Sequence, residues 1–466
     1  MPESTTCAHA PARWRAEIHA LIAVLLALLA LAAPALWNGY PLLQYDTGGY
    51  LARWHEGYLV PSRSTTYGLF LHLGAASRFW FNVAVQSAAT VFVLFHVLRG
   101  IGVHRPAVRG ATVAALCLAT ALPFLSSLLL TDIFAGLGVL AIYRLAVALA
   151  PCSRLERVGL GAIIVFATAS HTATFGLLAG LCLAGWLVWI GRGPLLARSG
   201  LIFASGSVML GAVLLLSTNF VLSGHIKWTP GGYGILFGRL LENGTVKPYL
   251  DASCPQMNYK LCAYRAELPD TADAFLWGHS AFDKLGRFSG LGDEMRAIVI
   301  GATAADPLRQ VIEAARASGQ QLMRVATGEG THNQLWHTYA IMERYIPMQL
   351  APMRAARQQR GELHFDTINA VHVPVAFLSM AGLIVLLLRD AARRHCDALT
   401  LLAGTAALAL LGNAVLCGAL SGPHPRYGAR LVWIGAFVLI AAGARAYEQT
   451  GATRPWGLTA VAQERP

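Results

Sequence analysis

Charge is scarce in this chain. Of its 466 residues only 13% are Asp, Glu, Lys or Arg, whereas 55% are hydrophobic. A soluble globular protein carries roughly 25% charged residues, so the shortage excludes a single soluble core or a string of soluble domains. Acids are scarcer than bases, 24 against 36, which leaves a formal charge of +12. That excess is no nucleic-acid footprint, because no basic stripe interleaved with aromatics occurs. The basic residues, almost all Arg, sit in short segments between apolar runs, the pattern that orients a membrane protein. There is no P-loop, no G-x-S-x-G turn and no dinucleotide-binding glycine fingerprint. No Cys-x-x-Cys or Cys/His metal spacing, internal repeat or low-complexity linker is present.

What the chain does have is a series of apolar runs near the roughly 20 residues that a spanning helix requires. It reads as an all-α polytopic membrane protein with about ten spans. These are expected at 20–37, 79–98, 111–130, 133–150, 201–222, 370–388, 398–420 and 427–444, with two short helices inside 158–190. Arginine flanks both ends of 158–190, so the run must turn, near Ser170-His171-Thr172. The first run stays uncharged past Pro34 to Gln44, which favours an uncleaved span over a signal peptide. Both termini are expected to be cytoplasmic. Residues 1–222 then form a seven-helix module with an aromatic-rich first outer loop at 38–78. Residues 223–367 form an extracytoplasmic domain, and 368–466 a three-helix part with a cytoplasmic tail. Asp306-Pro307 reads as a helix start inside the outer domain.

The eight cysteines divide by place. Cys117, Cys182 and Cys417 fall within spans, and Cys7, Cys152 and Cys396 on the expected cytoplasmic side. Only Cys254 and Cys262 share the outer segment. A pair isolated in an oxidising compartment is a disulfide candidate, with two free thiols as the alternative.

Few residues can carry chemistry. Asp46, in Tyr45-Asp46-Thr47-Gly48-Gly49-Tyr50, lies just past the first span, where a partly shielded carboxylate can act as a general base. Asp46 or Thr47 can equally cap the helix that follows. Asp132 stands in the turn between the third and fourth spans, as a functional acid or an N-cap. His171 marks the turn of the two short helices, where a lone His is either a satisfied turn residue or a cavity group. Ser421-Gly-Pro-His424-Pro-Arg426-Tyr427-Gly-Ala-Arg430 opens the last span. Arg426 and Arg430, four apart, share a helix face and suit a phosphate clamp, or they snorkel to headgroups. Arg53, Arg63 and Lys227 are further outer cations. Trp228 and the glycines up to Arg239 suit sugar stacking or a loop packed on the bundle. His332 and His337 lack a zinc pattern and read as non-ligands.

Together these features resemble the GT-C superfamily of integral-membrane glycosyltransferases. The resemblance rests on the acid in Tyr45-Asp46-Thr47-Gly48-Gly49-Tyr50 after the first span, on Asp132 in the next outer turn, on seven spans before an outer part, and on His424-Pro-Arg426-Tyr427. It implies Asp46 as the catalytic acid residue and Asp132 as a donor- or metal-binding group. Tyr50, Arg53, His171, His424, Arg426, Tyr427 and Arg430 complete the expected donor-binding set. Many members carry paired acids in the first loop; here Thr47 follows Asp46, so no metal is assigned there, and Asp132 is the one acid left for a divalent cation. The implied donor is a sugar on polyprenyl phosphate, and the acceptor is a hydroxyl on a glycan, lipid or cell-envelope component. The implied setting is a bacterial inner membrane, without nucleic-acid partners. The alternative is a non-enzymatic transporter or assembly scaffold for lipid-linked glycans. A transporter should hold ionisable groups at mid-membrane depth; here Gln86 is mid-span and Arg144 lies towards the cytoplasmic end, while the other candidates gather at the outer face.

Overall fold

A computed structural model describes residues 10–57, 59, 61–147 and 152–452 of the chain. The expected Cys7 and the C-terminal tail beyond 452 lie outside them. Among the described residues the secondary structure is helical, with 21 α-helices and no strand. Seven helices are long and apolar enough to cross a membrane. They are α1 (Ala10–Asn38), α4 (Trp80–Gly100), α9 (Thr172–Arg192), α10 (Arg198–Ser223), α19 (Phe365–Ala392), α20 (Ala398–Asn413, continued by a π turn Ala414–Ala419) and α21 (Pro425–Ala452). The loop between α1 and α4 holds α2 (Tyr45–Glu56) and α3 (Thr65–Gly74).

The other expected spans fall on shorter helices. The run 111–130 is not one helix. α5 (Pro106–Ala119) stops where Thr120 turns extended, and Pro123 then opens α6 (Leu122–Ser127), because proline fits the first turn of a helix and not its middle. α7 (Asp132–Ala146) is only 15 residues long, but every one of them is buried. The run 158–190 turns where expected. α8 (Arg154–Ser170) and α9 meet at His171, whose extended backbone ends one helix and begins the next.

The segment between α10 and α19 contains α11 (Gly232–Glu242), α12 (Val246–Ser253), α13 (Ala272–Leu276), α14 (Ala281–Lys284), α15 (Arg287–Ala305), α16 (Pro307–Met323), α17 (Trp336–Tyr345) and α18 (Leu350–Arg354). As the sequence suggests, Asp306 caps α16 by accepting the Arg309 N–H at 3.0 Å, with Pro307 at the first helical position. Buried apolar residues form two clusters. Phe237, Phe275, Phe282, Leu291 and Met295 build a small core within α11–α15. Ile341, Met342 and Met353, of α17 and α18, instead join the main core that runs through the bundle.

Cys254 and Cys262 are joined by a disulfide in the smaller unit. Closing a loop of this length stabilises the fold by about 2–3 kcal/mol in the chain-entropy model. Peptide mapping without reductant should therefore recover the two as one linked pair. Cys254→Ser should lower the protease resistance of 232–305 first; an unchanged digestion pattern would show that the bond adds nothing there.

Candidate functional site

The site is assembled where the first loop meets the turn before α7. Leu42 accepts the Leu129 N–H at 3.0 Å and donates its own N–H to Ser127 at 3.0 Å. Thr47 Oγ1 donates to Leu129 O at 3.1 Å. These bonds seat the start of α2 beside the start of α7, and so bring Asp46 near Asp132. The first turn of α21 closes the site from the third side.

Neither acid is a helix cap. Gln44 caps α2: its side chain accepts the Asp46 N–H at 2.8 Å, and the Thr47 hydroxyl accepts the Gln44 N–H at 3.1 Å. The Asp46 carboxylate is thus left for side-chain partners. One oxygen meets Arg63 Nη2 in a close ion pair, and the other accepts from Arg426 Nη1 at 2.5 Å. The N-cap of α7 is Thr131, without a side-chain cap bond. Asp132 Oδ2 accepts from Arg426 Nε at 2.8 Å. Its Oδ1 is buried with no hydrogen-bond partner among the described residues, 4.0 Å from Arg430 Nη1. One guanidinium therefore bridges two carboxylates. The place where a divalent cation would sit between them is filled by Arg426, so this pair does not fit a bound metal. Among the described residues no three His, Cys, Asp or Glu gather in a metal-holding group.

The glycines after Asp46 have a packing reason. A Cβ on Gly48 would lie 2.7 Å from Thr338 Oγ1, and that hydroxyl accepts the Gly48 N–H at 3.1 Å. A Cβ on Gly49 would crowd the Arg63 side chain at 3.2 Å. Gly48 lets α2 lie against α17, and Gly49 leaves room for Arg63 to reach Asp46. Burial pushes the Asp46 carboxyl up, but Arg63 and Arg426 outweigh it and hold the group at about 2.

A second acid, Glu329, supports the arrangement. It accepts the Arg426 backbone N–H at 2.9 Å and lies 2.8 Å from His424 Nδ1. Its position in Gly328-Glu329-Gly330, remote in sequence, gave no signal. The hydrogen bond to Glu329 raises His424 above its ordinary value in spite of burial. Burial pushes Glu329 up, but His424 and the Arg426 N–H bring it below its ordinary value. A raised His stabilises below its ordinary 6.5 and loses that contribution as pH rises through its raised value. A depressed Glu stabilises above its ordinary 4.5 and loses that contribution as pH falls through its lowered value. The pair is therefore intact from pH 4.5 to 6.5 and fades above 6.5. Melting temperature should fall on the alkaline side of this window, and Glu329→Gln should remove the fall. An identical pH profile for the two proteins would separate His424 from Glu329.

Other expected residues divide. Tyr50 is buried beneath Arg63, its hydroxyl 3.5 Å from Thr131 Oγ1. Tyr427 lies under both Arg426 and Arg430. His171 has a buried Nδ1 that finds no partner among the described residues. Burial first, then the charges of Arg430, Arg426 and Arg63, keep it well below the usual imidazole range. Arg430 does not act as a twin of Arg426. It turns into the bundle, only 1% exposed, and donates to Asn413 Oδ1 at 3.0 and 2.6 Å. Arg53 is equally buried and bonds Thr65 Oγ1 and Asn219 Oδ1, both at 2.8 Å, joining α2 to α3 and α10. Trp228 stacks on Phe175 of α9 with centroids 5.0 Å apart, so it packs on the bundle. His332 contacts Tyr45 edge-on.

A small, partly open cleft adjoins Asp132, Arg426 and Glu329. Its walls are mostly apolar, from Leu42, Phe124, Leu125 and Phe365. Below the ion pair Trp433 is fully buried and presses so closely on Gly136 that a Cβ there would lie 2.5 Å from its ring. The mid-span Gln86 is spent on structure, accepting from Tyr67 and donating to Ser126 and Leu128 carbonyls.

Comparison with known proteins finds no matching family model, no similar curated protein and no similar solved structure. Fold and site together define a helical protein with seven candidate membrane spans and a buried Asp–Arg cluster at one end of its bundle.

Proposed function

We propose that this protein is a membrane glycosyltransferase. It moves a sugar from a polyprenyl-phosphate donor to an acceptor hydroxyl on the extracytoplasmic side, with inversion at the anomeric carbon. The observation that carries the reading is the bridge Asp46–Arg426–Asp132 beside an apolar-walled cleft. An arginine fork suits a phosphate oxygen pair, and an apolar wall suits the lipid chain attached to it. The tight seat of Trp433 on Gly136 below the cluster and the structural use of Gln86 favour chemistry at one face over passage through the bundle.

As found, Asp46 is a weak base. A group held at about 2 lies far from the pH at which a general base works best. Donor binding supplies the remedy. A phosphate that draws Arg426 and Arg63 towards itself removes the two charges that hold Asp46 low, and burial then raises it. Asp46 accepts the proton of the acceptor hydroxyl while that oxygen attacks the anomeric carbon. The bond from that carbon to the phosphate oxygen breaks, and the leaving phosphate keeps the electron pair against the guanidinium charges. A phosphate leaving group needs no second carboxylic acid.

Mass spectrometry of lipids that copurify with the protein tests the reading. A polyprenyl-phosphate sugar, consumed on addition of acceptor, is the expected result. A purified protein that neither carries nor turns over any phosphate-linked lipid sugar would overturn it.

A further inference from the structure

α16 is an amphipathic helix turned inside out. Leu308, Val311, Ile312, Ala315 and Met323 fall on one face at helical spacing, and all are exposed. Leu308, Val311 and Ile312 are 69%, 66% and 56% exposed. The opposite face, with Gln310, Ala314, Ala317 and Gln321, points inward and carries the buried polar groups of the helix. Gln321, 1% exposed, donates Nε2–H to His424 O and accepts the His424 N–H, each at 2.9 Å. Gln310 Nε2 donates to Thr245 Oγ1 at 3.1 Å. A helix bathed in water on its outer side carries the reverse pattern, so the solvent that this face meets is apolar.

The place of the helix in the fold says which apolar solvent. α16 packs on the π turn Ala414–Ala419, which ends a candidate membrane span, with Ala317 and Gln321 against Gly418. Val415 and Leu420 in that same stretch are themselves about half exposed, so the apolar surface of α20 continues to the level of α16. Arg309 and Arg316, seven apart, run along one border of the apolar face; Arg309 Nη2 donates to the Asn243 and Gly244 carbonyls at 3.3 and 3.4 Å, Arg316 lies 3.7 Å from Glu313, and both side chains are long enough to meet headgroups as well.

We infer that α16 lies in the outer interface of the membrane, its apolar face in the acyl region and Arg309 and Arg316 at the headgroups. The helix touches both the bilayer and the segment that carries His424 and Arg426. It fixes the depth at which the ion cluster sits relative to the lipid phosphates.

The test uses the full-length protein in nanodiscs of phosphatidylethanolamine and phosphatidylglycerol, with Cys7, Cys152 and Cys396 replaced by serine. Nitroxides are attached at Val311→Cys, Ile312→Cys and, as a polar-side control, Gln320→Cys. All three positions are exposed, so the substitutions leave the core intact. At 311 and 312, collision with oxygen should exceed collision with a water-soluble nickel chelate severalfold, and at 320 the order should reverse. Nickel access at 312 equal to that at 320 would place the face in water and overturn the inference. Exclusion of both reagents at 311 and 312 would also overturn it, since a protein surface would then cover the face.

Discussion

Asp46→Asn should give a folded protein that binds donor at least as well as the wild type but transfers sugar at least about 100-fold more slowly, roughly 3 kcal/mol of barrier. The substitution is clean for a local reason. Gln44, not Asp46, caps α2, so the change from carboxylate to amide disturbs no helix end. The amide keeps the volume, but its single oxygen can accept from only one of Arg63 and Arg426, and its NH2 then faces the other guanidinium. What it loses is the charge those two guanidiniums share, and the ability to take a proton. Freed from Asp46, Arg63 and Arg426 are more available to a phosphate, which is why donor affinity should hold or rise while turnover falls. The two readouts together distinguish a base from a strut. Single-turnover transfer at wild-type speed in well-folded Asp46→Asn would sink the assignment. Loss of donor binding with no separate change in the chemical step would make Asp46 a positioning residue for the arginines.

The parts of this molecule that a linear reading reaches are those set by length and local chemistry. The long apolar runs became helices on length and apolar character, and Pro34 and Pro374 sit inside two of them without ending them. The break at His171 followed from arginines at both ends of a run too long for one span. The cap of α16 was legible because Asp followed by Pro leaves few alternatives. The break after Ala119 was harder: Thr120 and Pro123 sit in an unbroken apolar stretch, and only the proline marks it. The site was half legible. Asp46, Asp132 and Arg426 each stand next to a span end, where a polar residue invites attention. Their connection does not follow from spacing, because Asp46 and Arg426 stand 380 positions apart in the chain. Glu329 was invisible for the same reason, and Arg63 was visible only as one more outer cation. Arg430 illustrates the limit of a helix-face argument. It does share a face with Arg426, but a long side chain can turn sideways, and Asn413 in the neighbouring helix captures its fork.

Arg426→Ala should be the most damaging single change, because it takes a partner from both acids at once. Asp132 is 2% exposed and receives a side-chain hydrogen bond from Arg426 Nε. Removing one partner of a buried ion pair costs on the order of 3–5 kcal/mol, since the remaining charge stays buried and uncompensated. The expected result is a large fall in thermal stability together with loss of donor binding. Stability alone does not separate a phosphate ligand from a structural bridge, so a cycle of variants is needed. Asp132→Asn removes the stranded charge, and Arg426→Ala in that background should cost far less than in the wild type, with a coupling of about 0.5–3 kcal/mol expected for residues in contact. Additive losses would mean that the bridge is not what holds this end of the bundle. Arg426→Lys then isolates the ligand role. The ammonium keeps the charge that Asp132 and Asp46 require but cannot present two parallel N–H donors to them or to a phosphate. This variant should fold and melt close to the wild type while binding the lipid-phosphate donor more weakly. Unchanged donor affinity in a folded Arg426→Lys would leave Arg426 as a bridge between two helix starts, with the phosphate held elsewhere.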